Sequence, residues 1–166
     1  MTRYNKKIFK IDNENLSVFL NKNIFQPNLT TDMLVKASKK LIKKNDKVLD
    51  LGCGTGIIGC YFFKKKLIKF IYGSDLSYSA VKCASYNTKK LTNKFDIRVS
   101  NLLNEWKKEK FNLIINDISG ISSELNNITD LFKFAPNNSG KDGIKFTINI
   151  LKNYKKNILD KGKIIF

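Results

Sequence analysis

The chain has 166 residues and a formal net charge of +17, and 42% of its residues are hydrophobic and 27% charged. This length and composition predict one soluble domain. They argue against a disordered chain or a membrane protein, since no apolar run approaches the roughly 18 residues of a membrane-spanning helix. The chain contains no histidine and no Cys-x-x-Cys pair, which argues against a zinc site and a histidine-activated nucleophile. We therefore expect a cytoplasmic protein that requires no metal.

The first predicted elements are a hairpin and a helix. The hairpin is predicted over residues 16–25, with its turn at 21–23. The helix is predicted over about 32–44, with Thr30 or Thr31 as its N-cap and one apolar face. Both belong to an N-terminal part of the domain that precedes the sheet.

The rest of the chain alternates between strands and helices in one domain of residues 1–166, with 1–45 as the N-terminal part and 46–166 as the core. Strands are predicted at 47–51, 69–75, about 95–100, 111–116 and about 162–166. Helices are predicted at about 57–66, 78–91 and 143–158, and a polar loop at 117–141. Because strands that alternate with helices pair in parallel, the sequence predicts an α/β fold with helices on both faces of a twisted parallel sheet.

A glycine-rich loop follows the first strand of this core. The segment Asp50-Leu51-Gly52-Cys53-Gly54-Thr55-Gly56 begins with an acid at the carboxyl end of a strand, where open α/β sheets bind their ligands. Its three glycines let the backbone approach a ligand closely, and glycines spaced in this way have little other structural use. The next helix points its N-terminal amides at that ligand. A second acid, Asp75, ends the neighbouring strand, where its carboxylate can accept both hydroxyls of a ribose.

The same loop offers a weaker alternative, a nicotinamide-binding Rossmann domain. Gly54, Gly56 and Gly59 match the Gly-x-Gly-x-x-Gly pattern. Asp50 would repel a pyrophosphate, however, whereas a carboxylate suits the ammonium group of an aminoacyl sulfonium ligand. Residues 1–45 also precede the glycine strand, although dinucleotide-binding domains usually open with it. These two features favour the sulfonium ligand.

Residues 48–56 resemble motif I of class I S-adenosylmethionine-dependent methyltransferases. Within that superfamily the chain resembles the release-factor glutamine methyltransferases and the small-domain rRNA and tRNA methyltransferases. Four further segments are similar to motifs of this group, at 25–31, 72–81, 111–116 and 140–143. The resemblance implies a Rossmann-like methyltransferase fold and S-adenosylmethionine as cofactor. It also implies methyl transfer to a nitrogen of a macromolecular substrate, such as rRNA, tRNA or a translation release factor.

The resemblance also implies roles for individual residues. Asp50 would hold the amino group of the methionine moiety, directly or through water, and Asp75 would hold the ribose. Asn101 and the main-chain amide of Leu102 would meet the adenine edge. The implied cofactor-binding residues are Asp50, Gly52, Cys53, Gly54, Thr55, Gly56, Asp75, Leu76, Asn101, Leu102 and Asn116, and the implied catalytic residues are Asn116 and Asp117.

The chain departs from the family pattern at the acceptor motif. Where the family has Asn-Pro-Pro-Tyr, this chain has Asn116-Asp117-Ile118-Ser119, which lacks the aromatic ring that packs against a planar amide or base. Asp117 is either a base or hydrogen-bond acceptor, or a turn former. The altered segment therefore leaves open a second hypothesis, a cofactor-binding module without transfer activity.

A further departure concerns the edge of the sheet. The fold usually closes with antiparallel sixth and seventh strands, which this sequence does not contain after residues 162–166. We therefore expect either a truncated core or a partner that covers the exposed edge.

The positive charge has two interpretations. An excess of cations favours phosphate backbones and predicts a nucleic-acid partner, on which Trp106 and Phe134 could stack, although buried packing is the more usual use of such rings. Apart from Arg3 and Arg98, however, every basic residue is a lysine, whereas arginine is the better residue for bidentate phosphate contacts. Codon bias in an AT-rich genome would produce the same lysines. The sequence leaves both interpretations open.

Overall fold

The computed structural model describes residues 4–128 and 137–166. In these ranges the strands are β1 (Asn5–Ile11), β2 (Glu14–Leu20), β3 (Val48–Leu51), β4 (Ile71–Asp75), β5 (Phe95–Val99), β6 (Phe111–Asn116) and β7 (Ile158–Ile165). The α-helices are α1 (Leu29–Lys39), α2 (Ile57–Lys64), α3 (Tyr78–Lys89), α4 (Ser123–Ile128) and α5 (Lys145–Asn153). None of these helices is long and apolar enough to cross a membrane. Phe134, predicted from sequence to be packed, lies outside the described residues.

The central sheet has the predicted parallel α/β architecture. Among the described residues, five parallel strands pair in the order β5-β4-β3-β6-β7. The chain winds outward from β3 in one direction and then from β6 in the other, so the topological switch point lies between these two strands. In open α/β sheets this is where ligands bind, at the carboxyl ends of the strands. The predicted fold class is confirmed, and β7 is one edge of the sheet.

The N-terminal hairpin differs from its prediction. Strands β1 and β2 pair antiparallel with Ile11 opposite Glu14, and the turn is made by Asp12 and Asn13, which both have positive φ. The hairpin predicted over 16–25 is therefore wrong, because a two-residue turn with two left-handed residues matches the twist of a hairpin and Asp and Asn tolerate that conformation. A turn does lie at 21–23, where the Ile24 N–H donates to the Asn21 carbonyl oxygen at 3.3 Å, but it follows β2 and leads toward α1. The alternating residues of β2 still face the core, as a half-buried strand requires.

Helix α1 starts earlier than predicted, and its cap is neither Thr30 nor Thr31. The Asn28 side chain accepts a hydrogen bond from the Thr31 backbone N–H at 3.2 Å. The Thr31 hydroxyl accepts one in return from the Asn28 backbone N–H at 3.5 Å. This reciprocal capping box places the first turn at Leu29. The helix ends at Lys39 rather than near residue 44.

The C-terminal strand is longer than predicted, and the last helix is shorter. Helix α5 ends at Asn153 and β7 begins at Ile158. The residues just before the predicted strand form an irregularity within β7, where the register against β6 shifts and Lys161 has φ +63°. A Cβ on Gly162 would lie 2.6 Å from Ile158 Cγ1, so this position requires glycine. The predicted loop at 117–141 also contains α4.

The core lies in two layers, one on each face of the sheet. One layer packs the hairpin, α1 and α2 on the sheet, and the other packs Trp106, Phe111 and Ile150 against the opposite face. Trp106 is fully buried, and its indole N–H donates to Ser74 Oγ at 3.0 Å. The prediction that Trp106 is a packing residue is therefore confirmed.

Candidate functional site

A cleft opens at the carboxyl ends of the central strands, at the switch point of the sheet. It includes about 820 Å³ of space between atoms, counting the open solvent at its mouth, and lies where open α/β sheets bind small molecules. Its acidic lining residues are Asp75 and Asp117, and no lysine or arginine of the described ranges lines it. Of the residues predicted from the sequence, the lining includes Gly52, Cys53, Gly54, Thr55, Asp75, Leu76, Asn101, Leu102 and Asp117.

The glycine loop turns beneath this cleft. Gly52, Gly54 and Gly56 all have positive φ, a conformation that residues with a side chain rarely adopt. The Gly52 and Cys53 backbone N–H groups donate to the Ser74 carbonyl oxygen at 2.8 and 2.9 Å, which ties the loop to the end of β4. A Cβ on Gly54 would make an ordinary van der Waals contact with the Phe25 carbonyl oxygen, at 3.9 Å, and would meet no closer atom. Gly54 therefore leaves the backbone accessible from the cleft.

The other two glycines have structural uses that the sequence analysis did not anticipate. A Cβ on Gly56 would lie 3.1 Å from Ala84 Cβ, so this glycine permits close packing of α2 on α3. A Cβ on Gly52 would lie 2.8 Å from Ile118 Cγ1, so this glycine admits the segment that follows β6. Gly52 lines the cleft, whereas Gly56 does not.

Asp75 projects from the end of β4 and lines the cleft. Its carboxylate accepts hydrogen bonds from the Gly54 N–H at 3.0 Å and the Ser77 N–H at 2.9 Å. Burial raises the pKa of Asp75, while the N–H groups of Ser77, Gly54 and Leu76 oppose that shift. Because each carboxylate oxygen has further lone pairs, Asp75 can accept additional hydrogen bonds from a ligand.

Asp50 is the second-last residue of β3 and lies outside the cleft lining, beneath the glycine loop. It is 3% exposed, and neither carboxylate oxygen has a hydrogen-bond partner among the described residues. Burial raises the pKa of Asp50 well above its usual value, and the charges of Asp117 and Asp75 raise it further. The Gly59 N–H, in the first turn of α2, opposes this shift. A buried carboxylate without a partner is costly, which marks Asp50 as a group that requires a ligand, a water or a proton.

Asn101 and Leu102 lie in the turn after β5 and line the far side of the cleft. Asn101 is exposed, and Leu102 has φ +52°. The Ser100 hydroxyl donates to the Leu102 carbonyl oxygen at 2.7 Å, and the Ser100 N–H donates to the Asp75 carbonyl oxygen at 2.9 Å. These bonds place the Asn101 turn next to Asp75.

Asn116 and Asp117 end the strand on the other side of the switch point. Asn116 is 8% exposed and is outside the cleft lining, and its side-chain oxygen Oδ1 has no hydrogen-bond partner in the described ranges. Asp117 lines the cleft, and its Oδ2 accepts a hydrogen bond from the Thr31 hydroxyl at 3.1 Å. Burial raises the pKa of Asp117 to about 6, the Thr31 hydrogen bond lowers it, and the charge of Asp75 raises it.

Several cleft residues were missed by sequence reasoning. Thr31 was interpreted as a helix cap, and nothing in its local sequence indicates a bond to a residue 86 positions away. Phe146 comes from α5, and Phe25 and Pro27 come from the segment before α1. That segment belongs to the predicted motif at 25–31, which could have indicated its place in the site.

Comparisons with known proteins agree with this geometry. The sequence model of the family described as "Methyltransferase small domain" matches residues 15–160. A ribosomal protein L11 methyltransferase of Acetivibrio thermocellus is 32% identical over 133 residues, which are 79% of this chain and 40% of that protein. A release factor glutamine methyltransferase of Thermodesulfovibrio yellowstonii is 29% identical over 164 residues, covering 90% of this chain and 57% of that protein. The chain thus spans roughly half the length of these relatives.

A solved structure shares the fold. The ribosomal protein L11 methylase of Lactobacillus delbrueckii subsp. bulgaricus superposes with a TM-score of 0.59 at 18% identity, covering 87% of this chain and 63% of that one. This likeness confirms the Rossmann-like fold. The family match covers most of the chain and decides against the nicotinamide alternative. The chain belongs to the methyltransferase small domain family, which confirms the predicted methyltransferase class and S-adenosylmethionine as its cofactor.

Proposed function

We propose that the chain transfers a methyl group from S-adenosylmethionine to a nitrogen atom of a macromolecular substrate, namely rRNA, tRNA or a translation protein. The proposal rests on one arrangement: a cleft with open backbone at Gly54 and a carboxylate at Asp75 adjoins a strand that ends in Asn116 and Asp117. Relatives named for methylation of a ribosomal protein and a release factor support the macromolecular substrate.

The residues present fit the cofactor. Gly54 lines the cleft with backbone that carries no side chain, and the Thr55 hydroxyl oxygen is buried with no partner in the described ranges. We assign the ribose hydroxyls to Asp75, because it lines the cleft and keeps free acceptor capacity. We assign the adenine end to the turn of Asn101 and Leu102, with Leu76 beside it.

Asp50 takes the methionine end in this proposal. Its two unpartnered carboxylate oxygens suit the ammonium group of the cofactor. Because Asp50 lies beneath the glycine loop rather than in the cleft lining, a bridging water is the favoured of the two predicted modes. A water needs two to four polar partners, and Asp50 and the ammonium group supply them.

Asn116 is the residue to which we assign the acceptor. Its buried Oδ1 lacks a partner among the described residues, and an unsatisfied buried acceptor costs roughly 1–3 kcal/mol. An N–H of the acceptor nitrogen can satisfy it, which would fix the orientation of the nitrogen. Asp117, next in the chain, would then receive the proton that this nitrogen loses, because its pKa of about 6 suits proton transfer near neutral pH.

Catalysis in this proposal depends mainly on alignment. S-adenosylmethionine supplies an activated methyl group on a sulfonium, so no metal is required. Asp75 and the glycine loop hold one reactant, and Asn116 holds the other, so that a bimolecular step becomes an oriented one within a single site. Phe25, Pro27 and Phe146 contribute apolar walls to the cleft, which limits the access of water to the reacting groups.

A transfer assay tests the proposal. The chain would be incubated with S-adenosylmethionine labelled in its methyl group and with total RNA, ribosomal subunits and purified release factors in separate reactions. We expect label in one of these fractions. Isothermal titration with S-adenosylmethionine, its demethylated product and NAD provides the control, and preferential binding of NAD would overturn the assignment.

The altered acceptor segment favours one second candidate, a module that binds the cofactor without transferring the methyl group. This candidate is supported if S-adenosylmethionine binds tightly in the titration and no fraction receives label. The two outcomes of the transfer assay therefore separate the candidates.

A further inference from the structure

The outer face of α3 carries tyrosines and lysines in alternation. Tyr78, Lys82, Tyr86 and Lys90 are four residues apart, so they follow one ridge of the helix. Lys82 Nζ lies 4.6 Å from the Tyr78 ring centroid, and Lys90 Nζ lies 4.8 Å from the Tyr86 ring centroid. Tyr78 is 62% exposed and Tyr86 40%. We name these four residues the Tyr–Lys ladder.

The hairpin extends the ladder sideways. The Tyr4 ring centroid lies 5.0 Å from that of Tyr86, and Phe19 packs edge-on against the same ring at 5.6 Å. Lys90 Nζ is also 4.8 Å from the Phe19 ring centroid. Tyr86 is therefore held by neighbours from β2 and from the residue before β1, and the resulting surface is aromatic and basic.

The charge of this surface is not neutralised. Residues 78–94 contain four lysines and no aspartate or glutamate. Five ion pairs occur among the described residues, and they involve Lys36, Lys39, Lys47, Lys65 and Arg98. None of them includes a lysine of the ladder, so these cations are available to an anionic partner.

The ladder begins at the mouth of the cleft. Leu76 lines the cleft, Asp75 accepts a hydrogen bond from the Ser77 N–H at 2.9 Å, and α3 starts at Tyr78. From there to Lys90 the helical rise predicts a length of about 18 Å. That length is compatible with several nucleotides of one strand, since binding sites on single-stranded nucleic acid cover roughly 4 nucleotides or more.

We propose that the Tyr–Lys ladder binds single-stranded RNA, with bases stacked on Tyr78 and Tyr86 and phosphates beside Lys82 and Lys90. Aromatic rings interleaved with cations are the arrangement that binds single strands, because every base has a face to stack. Lys82 and Lys90 cover faces of the two tyrosine rings in the free protein, so these flexible side chains must move toward the phosphates when bases stack. Paired bases in a duplex do not present those faces. The inference deepens the proposed function, on which it rests in one respect: the strand that follows the ladder is the substrate methylated in the cleft.

Matched variants of the full chain test this binding. The probe is a fluorescein-labelled single-stranded RNA of about 12 nucleotides, long enough to exceed the site, and binding is followed by fluorescence anisotropy. The variant Y78L/Y86L removes stacking and keeps apolar side chains, and K82M/K90M removes two charges. K107M/K108M removes the same charge from two exposed lysines outside the ladder. Because Tyr86 also packs against Tyr4 and Phe19, thermal melting by circular dichroism checks that each variant is folded, and Tyr78→Leu alone removes one stacking ring without touching that cluster.

We expect both ladder variants to weaken RNA binding at least tenfold and K107M/K108M to weaken it less than threefold. Any of three results would overturn the proposal. They are equal losses of RNA affinity in K82M/K90M and K107M/K108M, an unchanged RNA affinity in Y78L/Y86L, and tighter binding of a duplex of the same sequence. The proposal would also be overturned if the ladder variants weakened the binding of poly-glutamate but left RNA binding unchanged. That result would indicate an acidic protein as the partner. Titration of wild-type protein with S-adenosylmethionine separates the two proposals: cofactor binding without RNA binding refutes the ladder alone, whereas loss of cofactor binding refutes the proposed function.

Discussion

The cleft and the Tyr–Lys ladder are joined by the short segment 75–78 and have opposite electrostatic character. The cleft is lined by Asp75 and Asp117 and by no basic side chain of the described residues, although the whole chain has a net charge of +17. The ladder carries lysines without nearby acids. The positive charge is therefore distributed unevenly over the molecule. The acidic cleft suits a cationic cofactor, and the basic face suits an anionic polymer.

This difference bears on the meaning of the net charge. From composition alone, the lysines are explained equally well by codon bias and by a nucleic-acid partner. Their exclusion from the cleft and their stacking over aromatic rings on α3 are features that composition does not predict. Local arrangement, not net charge, is thus the informative quantity. Five measurements would sharpen or break the contrast.

The largest effect is expected beside the cleft, from Asn116→Ala. Removing the acceptor-positioning amide should lower methyl transfer at least 100-fold and leave the Kd of S-adenosylmethionine within about threefold, since it raises the barrier without touching the cofactor contacts. Single-turnover transfer of labelled methyl, together with calorimetric titration, measures both quantities. Asn104→Ala is the matched control, because Asn104 is exposed and outside the cleft lining. Full activity of Asn116→Ala would mean that the acceptor binds elsewhere.

A smaller effect is expected for cofactor binding in Asp75→Ala. The change removes charge-assisted hydrogen bonds to the ribose, and a loss of about 1–3 kcal/mol corresponds to a Kd that rises about 5- to 150-fold. Titration calorimetry measures it, and Asp160→Ala controls for the loss of an exposed acid. An unchanged Kd in a folded Asp75→Ala protein would show that other groups hold the ribose.

A pH dependence of a few-fold is expected from Asp117. Its pKa is raised to about 6, so the group is neutral at pH 5 and charged at pH 7.5, where a carboxylate favours the cationic sulfonium. Affinity for S-adenosylmethionine should therefore rise a few-fold over this range, while affinity for the neutral-sulfur product should stay constant. Asp117→Asn should remove the pH dependence of the affinity for S-adenosylmethionine and leave the affinity for the product unchanged. A wild-type affinity for S-adenosylmethionine that does not change between pH 5 and 7.5 would contradict this role of Asp117.

The same group gives a signed test of stability. Because the folded pKa of Asp117 lies above the model-peptide value of 3.8, its contribution to stability is fully present below about pH 4 and is lost as pH rises through about 6. Asp117→Asn cannot ionise and keeps that contribution. Urea unfolding should therefore show the variant gaining stability relative to wild type between pH 4 and pH 7.

The smallest effect is expected from salt on the cofactor. The Kd of S-adenosylmethionine should change less than twofold between about 50 and 200 mM salt, since buried interactions are weakly screened. RNA affinity should fall steeply over the same range, because the release of counterions gains less entropy as the salt concentration rises. Anisotropy and calorimetry in the same buffers compare the two. If RNA affinity changed little with salt, the abundance of lysine would be explained by codon bias alone.

Much of the fold was predictable because its signals are local. β6 was predicted at its observed bounds, since a buried parallel strand is a continuous apolar run. The glycine loop and Asp75 were predictable because backbone conformation and strand ends follow from short segments. The hairpin turn was missed because the sequence contains two plausible turn segments, 12–13 and 21–23. The positive φ of Asp12 and Asn13, which identifies the hairpin turn, is visible only in the structure.

The sequence by itself determined the parallel sheet, the cofactor loop, and the acids at the strand ends. The tertiary structure decided what those residues touch. It packs Gly56 against Ala84, buries Asp50 below the loop, and joins Thr31 to Asp117 across 86 residues. It also packs Tyr4 against Tyr86, so that the hairpin and the Tyr–Lys ladder form one continuous surface. Spacing along a chain specifies which residues share a strand or a helix face, whereas contacts between distant segments arise only when the elements pack.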